Sequence, residues 1–490
     1  DEGADRAVDG ETVKRPRFWP EGLARTIEVP ATTLWANLAR GAARHPERRA
    51  VVFGDQTISY AQLHAQAERL AGWLQQRCGV QRGDRVLIFS QNCPQFIAAV
   101  YGVWRADAVV VPVNAMSTAD DLAWLAQDSG ARVILVGSEL AERAAGLLDD
   151  GCLQHALVHR YAEATGPAGW PTWDGMLQAA LPPAPPRATA DDLCLLPYTS
   201  GTTGRPKGCR HTHRTLMSSI CASRAWRGLA DGTVALSVAP LFHLLGLQNG
   251  MNLPLLVGGT VVMLSRWDRE AAARLIESER VQYWAATPAM LVDFFAQPGL
   301  EQRDLSSLRL LVGGGAPVPE AVSKLLRDRY HLPFNEAYGL TETASFLHCN
   351  PVPRPKPCCL GVPTFDVDSR IVDPETGAEL PPGETGELVT RGPQLMLGYW
   401  NNPQADAEAQ AKKCKVTVEV FPDQNGANLA LGSSSLSVLI SDLGGSTAAT
   451  TDGVQTAALT TPVSGSALVI DVGGATGDIA DGDLITFDLT

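Results

Sequence analysis

The chain has no C-x-x-C pair, although it holds ten cysteines, two of them adjacent at Cys358 and Cys359. That absence excludes zinc ribbons and thioredoxin-like redox sites. Free thiols packed as small apolar groups in a reducing compartment are the expectation, and a cytoplasmic location with it. Positive charge is also scarce: 40 basic residues stand against 53 acidic ones, a net charge of −13. A general nucleic-acid binder needs a basic footprint to displace counterions, so that class is excluded. Long apolar runs are missing as well. The most apolar stretch, Met251 to Leu264, is interrupted by Asn252, Pro254 and two glycines, too short and too broken to span a bilayer. The segment Asp1 to Arg25 is charged and lacks an apolar core, so no signal peptide is expected. The 46 glycines and 33 prolines follow no period, which excludes collagen and simple repeats.

What is present is an ordinary globular composition, 45% hydrophobic and 19% charged, in 490 residues. That length exceeds one hydrophobic core, so two or three domains are expected. From Thr57 to Phe334 short apolar runs alternate with helix-like segments. The runs 85–90, 108–113, 132–136, 260–264, 281–284 and 308–312 read as strands. Helical spacing covers 268–280 and 319–329, and another helix opens near Pro94. Continuous apolar strands separated by helices imply parallel sheets covered on both faces. From Asp366 to Arg391 turn-rich Pro374-Glu-Thr-Gly377 and Pro382-Gly-Glu-Thr-Gly386 separate β runs, the texture of a small antiparallel subdomain.

The composition changes again near residue 410. No arginine follows Arg391, and after Lys415 there is no Lys, Arg, His, Trp or Tyr. Residues 411–490 read as a separate β-sandwich-like module of different origin, with runs such as 416–420, 467–471 and 484–488; local disorder is the competing reading.

The densest chemistry lies in Tyr198-Thr-Ser-Gly-Thr-Thr-Gly-Arg-Pro-Lys-Gly208, between a strand-like run and a helix. Its hydroxyls (Thr199, Ser200, Thr202, Thr203), its glycines (Gly201, Gly204) and Lys207 can wrap a triphosphate. Pro206 stands where a Walker A loop needs glycine, so it is not that motif. This run resembles the phosphate loop of the adenylate-forming superfamily, which includes acyl-CoA ligases, luciferases and peptide-synthetase adenylation domains. Asn335-Glu-Ala-Tyr-Gly-Leu-Thr-Glu342 is similar to the family's adenine and magnesium motif, and Gly313-Gly-Gly-Ala-Pro317 to its adenine-side loop, though a tight strand-to-helix turn explains those glycines equally well. Gly386 to Trp400 is similar to the segment that ends the family's large domain.

The resemblance implies a layered αβαβα large domain (28–365) with parallel sheets, after an N-terminal extension (1–27). A small β-barrel-like subdomain (366–410) ends it, and the separate all-β module follows. It also implies a reaction in two halves: a carboxylate attacks ATP to give an acyl adenylate, then coenzyme A displaces AMP. Thr199, Lys207, His243, Thr341 and Glu342 take the catalytic roles, with Glu342 and Thr199 at Mg²⁺. Tyr338 is expected on adenine and Thr341 at the α-phosphate, with Glu336, Ala337, Gly339 and the 313–317 loop (Gly313, Gly314, Gly315, Ala316, Pro317) around the nucleotide. Ala239 to Leu247 resembles the acyl-pocket segment. It holds no carboxylate to pair an amino-acid ammonium, so a fatty or aromatic acid is expected against His243, Leu244, Gly246, Trp284 and Gly313. A packed core histidine is the alternative for His243; His211 and His213, an H-x-H with no further ligand spaced to them, are expected to be structural. The partners are then a small carboxylic acid, ATP and coenzyme A, with a homodimer as an open oligomeric state. The family's lid domain and its lysine have no counterpart in 411–490, which implies weak adenylation. An acyl-AMP ligase serving a carrier protein and a non-catalytic binding scaffold are the alternatives.

Overall fold

The computed structural model describes residues 19–160, 166–199, 205–314, 318–332, 334–356 and 359–412, with side chains to 407; the strands 7–8, 11–12, 448–451 and 454–457 are described as backbone. Two compact units divide the chain: Asp1–Thr199 with Lys207–Val418, and Ser200–Pro206 with Glu419–Thr490. In the second, Ala448–Thr451 pairs antiparallel with Val454–Ala457. The runs expected at 416–420, 467–471 and 484–488 lie outside the described residues. The helix Pro403–Lys412 runs across the boundary expected at 410.

In the first unit a six-stranded sheet has the order His211–Thr212, Leu193–Leu195, Val109–Val113, Arg85–Phe89, Val133–Gly137, His155–His159. A nine-stranded sheet runs Val362–Pro363, His348–Cys349, Phe334–Tyr338, Leu310–Gly313, Tyr283–Ala285, Val234–Ser237, Thr260–Met263, Arg49–Phe53, Gln56–Ser59. Their centres are parallel, as the continuous apolar runs require. Three of the four edges are antiparallel, which strand-by-strand patterning does not reveal; the fourth, His155–His159, pairs parallel with Val133–Gly137. The reason is local. Arg49–Phe53 turns into Gln56–Ser59 through Gly54, at φ +55°, and so short a turn can only return the chain antiparallel.

Alternation along each strand sorts side chains into layers. Val86 and Ile88 of the first sheet share a core with Ala235, Val261, Tyr283 and Val312 of the second, together with the helices Trp35–Arg44, Tyr60–Arg77, Pro94–Arg105 and His213–Arg227. Leu87 and Phe89 face outward onto the helices Ala119–Ser129 and Glu142–Asp149. Leu236, Trp284 and Leu311 face outward onto Arg269–Ser278, Pro288–Phe295 and Glu320–Tyr330. The result is the αβαβα stack expected. Its central helix Pro94–Arg105 is buried on nearly every side, in keeping with its apolar composition around the whole circumference. The helix His213–Arg227 begins at a Thr212–Thr215 capping box and ends at left-handed Gly228, which fixes its ends beside the chemistry described next. Among the described residues the 366–410 region contributes a two-stranded ladder, Asp368–Val372 with Glu387–Arg391. Cys78, Cys93, Cys194 and Cys349 carry buried free thiols, those of Cys93 and Cys349 against Ser90 and Asn335. No described helix is long and apolar enough to cross a membrane.

Candidate active site

The Gly/Thr loop begins and ends in a short hairpin. Thr199 pairs with Lys207, and its Oγ1 lies 3.5 Å from the Lys207 carbonyl. Ser200, Gly201, Thr202, Thr203 and Gly204 lie outside the described residues, as do Gly315, Ala316 and Pro317. Residues 394–400 thread between the hairpin and the acidic turn. Trp400 N donates to the Gly208 carbonyl at 2.7 Å, Leu397 N to that of Arg210 at 2.8 Å, and Met396 N to that of Glu342 at 2.8 Å. Tyr399 bridges the two sides: Oη donates to Glu342 Oε1 at 2.7 Å, and Lys207 Nζ sits 5.2 Å from the centre of its ring. Sequence reasoning missed Tyr399. It stands inside a quoted block, but only its place in space distinguishes it from a packing aromatic.

The acidic turn is held hard. Glu342 lies on a 3₁₀ turn, Thr341–Thr343, followed by two non-glycine residues in the left-handed region, Ala344 at φ +51° and Ser345 at φ +82°. Such backbone persists where the surroundings over-determine it. Here His211 Nε2 donates to the Thr341 carbonyl at 2.7 Å, Ser219 Oγ to that of Ala344 at 2.6 Å, and Asn249 Nδ2 to Ser345 Oγ at 3.1 Å. His211 is thus a positioning residue rather than a ligand. Its burial pushes the imidazole pKa down to about 4, so it is neutral near pH 7. His213 accepts from Leu34 N at 3.1 Å and is likewise depressed by burial to about 4.

Gly339 has no room for a side chain, since a Cβ there would fall on the Ser345 carbonyl. At Gly313 and Gly314 a Cβ would meet the carbonyl oxygens of Ala286 and Ala337, so close packing of adjoining strands accounts for those two glycines without a ligand. Glu336 is 6% exposed beside them on the Phe334–Tyr338 strand. Burial raises its carboxyl pKa to about 7, against the pull of the Cys359 backbone. The Tyr338 ring lies 5.7 Å from that of His348.

On the acyl side His243 is solvent-exposed rather than packed in the core, with its ring against Phe242; crowding by the protein lowers its pKa. Leu244 is buried and Gly246 closes against Pro240. An eight-residue π-helix, Leu245–Asn252, follows directly. Such helices are rare and gather at functional sites. Trp284 is a correction. It was expected to line the acid pocket, but it is fully buried on the outer face of the second sheet, stacked on Trp267 at 5.7 Å. Strand alternation puts Tyr283 and Ala285, not Trp284, on the face toward the π-helix.

A cavity of about 490 Å³ opens against Glu342 and Tyr399, with Arg370 and Arg391 on its wall, both ion-paired to buried Asp368 at 3.0 and 3.2 Å. Among the described residues no three His, Cys, Asp or Glu side chains converge on a metal position. A lone carboxylate such as Glu342 suits magnesium shared with phosphate oxygens, not an all-protein metal cage.

A family model described as AMP-binding enzyme matches residues 38–400. The chain belongs to the AMP-binding enzyme family. Among its curated relatives, a feruloyl-CoA synthase of Amycolatopsis sp. is 38% identical over 373 residues, 75% of this chain and 72% of its own length. A long-chain-fatty-acid–CoA ligase of Bacillus subtilis (strain 168) is 27% identical, covering 79% of this chain and 74% of the relative. A solved, inhibitor-bound N-terminal domain of FACL13 from Mycobacterium tuberculosis superposes with a TM-score of 0.69 at 27% identity, covering 77% of this chain and 93% of that one. The family is enzymatic and these relatives are acyl- and aryl-CoA ligases of the acid–thiol kind.

Proposed function

We propose that this chain activates an aromatic carboxylic acid with ATP, as an acyl adenylate, and passes the acyl group to coenzyme A. The observation that carries the reading is the Lys207–Tyr399–Glu342 contact chain, which brings a cation and a carboxylate against one tyrosine side chain. In this reading Thr199, Lys207 and the 200–204 loop hold the phosphates, and Thr341 faces the α-phosphorus. Tyr338 stacks on adenine, with Glu336, Ala337, Gly339 and the 313–317 loop around it. Glu342, with Thr199, would hold a magnesium ion, which would supply charge neutralisation on the phosphates so that two anions can meet. A carboxylate oxygen then bonds to the α-phosphorus and pyrophosphate leaves. His243 stands at the entrance to the acid site, with Leu244 and Gly246 behind it. The thiol sulfur of coenzyme A attacks the acyl carbon, loses its proton and expels AMP. An aromatic acid is favoured over a fatty one because the 38% identical relative is named for ferulate, whereas the fatty-acid ligase is 27% identical.

We place the large domain at residues 28–410, with 366–410 as its closing subdomain. A second feature sets the expected rate. Residues 416–490 hold no lysine or arginine to aim at the developing charge. A cation so aimed is worth ~10²–10³ in rate, so these 490 residues by themselves are expected to give weak pyrophosphate exchange while nucleotide binding persists. Isothermal titration of the full chain with MgATP tests the reading; saturable binding supports it, and absence of binding overturns it in favour of a non-catalytic scaffold.

A further inference from the structure

We propose that Arg227, Tyr283 and Ser237 form the inner, polar end of the acid pocket and select an aromatic acid bearing a phenolic oxygen remote from its reacting carboxylate. This rests on the acid-activating reading above and adds to it which acid is chosen and by what.

The three residues share one face of one sheet. Ala235 and Tyr283 are register partners on adjacent parallel strands, and Ser237 follows Ala235 by two residues, so Ser237 and Tyr283 point the same way. Arg227, in the last turn of the His213–Arg227 helix, lies near Tyr283. Arg227 is 7% exposed, and Tyr283 and Ser237 are each 1% exposed. Arg227 Nε, Tyr283 Oη and Ser237 Oγ have no hydrogen-bond partner among the described residues. Nor does a carboxylate compensate the guanidinium there. Its Nη1 donates to Asn249 Oδ1 at 2.8 Å and to Ser223 Oγ, the guanidinium also hydrogen-bonds the buried Cys349 thiol, and its plane lies 4.7 Å from the Phe346 ring centre. Arg227 is close enough to Tyr283 to oppose the rise that burial imposes on the phenol.

A buried cation without a counter-charge, beside two orphan hydroxyls, is expensive in a core that could have been apolar. Packing alone leaves one orphan on the opposite face, Trp284 Nε1, but not three on one side of the sheet, one of them charged. The roof over them is the π-helix that starts beside His243. Gly250 lets it approach so closely that a Cβ there would lie 2.8 Å from Ser237 Oγ. Asn249, which holds Arg227, is six residues beyond His243. At an α-helical rise that is at most roughly 9 Å, the reach of an arylpropenoate from carboxylate to ring substituent. An alkyl chain would leave Arg227 Nε and both hydroxyls unpaired. A phenolic oxygen accepts from Arg227 and donates to a hydroxyl.

The test uses the full 490-residue chain and three non-hydrolysable adenylate mimics: 4-coumaroyl, cinnamoyl and dodecanoyl sulfamoyl-adenosine, measured by calorimetry. The first two differ by one phenolic hydroxyl. The coumaroyl mimic is expected to bind about 10²-fold more tightly than the cinnamoyl one. In Tyr283→Phe and Arg227→Met that ratio falls to within about threefold, because coumaroyl affinity drops. Should Arg227→Met fail to fold by circular dichroism, the isosteric Tyr283→Phe carries the test alone. Equal coumaroyl and cinnamoyl binding by the unaltered chain, or a ratio that survives Tyr283→Phe, overturns the inference and leaves acid activation standing. Tightest binding of the dodecanoyl mimic also overturns it. Failure of all three mimics to bind overturns the adenylation reading itself.

Discussion

The outer and inner faces of the nine-stranded sheet use the same strands for opposite purposes. Outward, Leu236, Val262, Trp284, Leu311 and Phe334 meet the flanking helices through carbon, with Trp267, Trp284 and Phe294 as an aromatic cluster at 5.1–6.4 Å. Inward, Ser237, Tyr283 and Asn335 alternate with Ala235, Ala285 and Val312 and lie beneath Arg227, Gln248, Asn249 and Asn252, all buried. Packing could have been satisfied with apolar residues on both sides. Polar groups hidden on one side carry desolvation costs that the fold does not need, and that side is where the π-helix, the acidic turn and His243 gather.

The comparison predicts the largest difference at two neighbouring positions. Trp284→Ala removes a fully buried indole and is expected to cost about 3–5 kcal/mol. Tyr283→Phe deletes an orphan hydroxyl one residue away and is expected to shift stability by no more than ~1 kcal/mol. Urea denaturation of both variants checks this, and a Tyr283→Phe loss as large as that of Trp284→Ala would erase the distinction between the faces.

Acid is expected to act on the polar interior next. Burial holds His211, His213 and His348 at a pKa of about 4 and His159 at about 3. All four are lowered, so the unfolded chain takes up these protons first, near pH 6.5, and stability present above that value is lost as pH falls toward 4. Glu336, raised to about 7, acts in the opposite sense and offsets part of the loss. Between pH 7 and 5.5 the net loss is on the order of 3–4 kcal/mol. Denaturant midpoints that stay flat across this window would contradict the burial of the imidazoles.

The third expected effect falls on nucleotide rather than on stability. Glu342→Gln removes the carboxylate proposed for magnesium and is expected to weaken MgATP binding about 10²-fold by calorimetry. Unchanged affinity would take the metal off Glu342 and leave its place in the same cavity to Asp368 or Glu379.

Much of this was legible in the sequence. The apolar runs gave the parallel strands, and the Lys207 and Glu342 blocks resembled the family whose model matches residues 38–400. Other features required three dimensions. Trp284 and Tyr283 are adjacent and both aromatic, so composition cannot say which faces the π-helix; only strand register against the Val234–Ser237 strand does. Tyr399 lies 57 residues from Glu342, a hydrogen bond that no local pattern encodes. Gly313 and Gly314 read as ligand-facing in a motif, whereas neighbouring carbonyls already forbid a side chain there. The π-helix is equally silent, because its apolar spacing is close to that of an ordinary helix.

The smallest expected effect sharpens the comparison most, because it separates strain held for a purpose from strain that merely ends a helix. His331, at φ +54°, caps the outer helix Glu320–Tyr330, a common place for a left-handed residue. Ala344, at φ +51°, sits instead beside a second left-handed residue and is held through its carbonyl by Ser219. Glycine relieves the Cβ clash at either position while enlarging the freedom of the unfolded chain, so His331→Gly and Ala344→Gly should each stabilise by only about 0.5–1 kcal/mol. Their effects on nucleotide should part. Ala344→Gly loosens the turn that aims Glu342 and is expected to weaken MgATP binding a few-fold, whereas His331→Gly, remote from the site on the outer layer, leaves it unchanged. Equal MgATP affinity in the two variants would mean that the left-handed pair after Glu342 serves packing alone, and that Glu342 keeps its aim through Tyr399 and His211 without it.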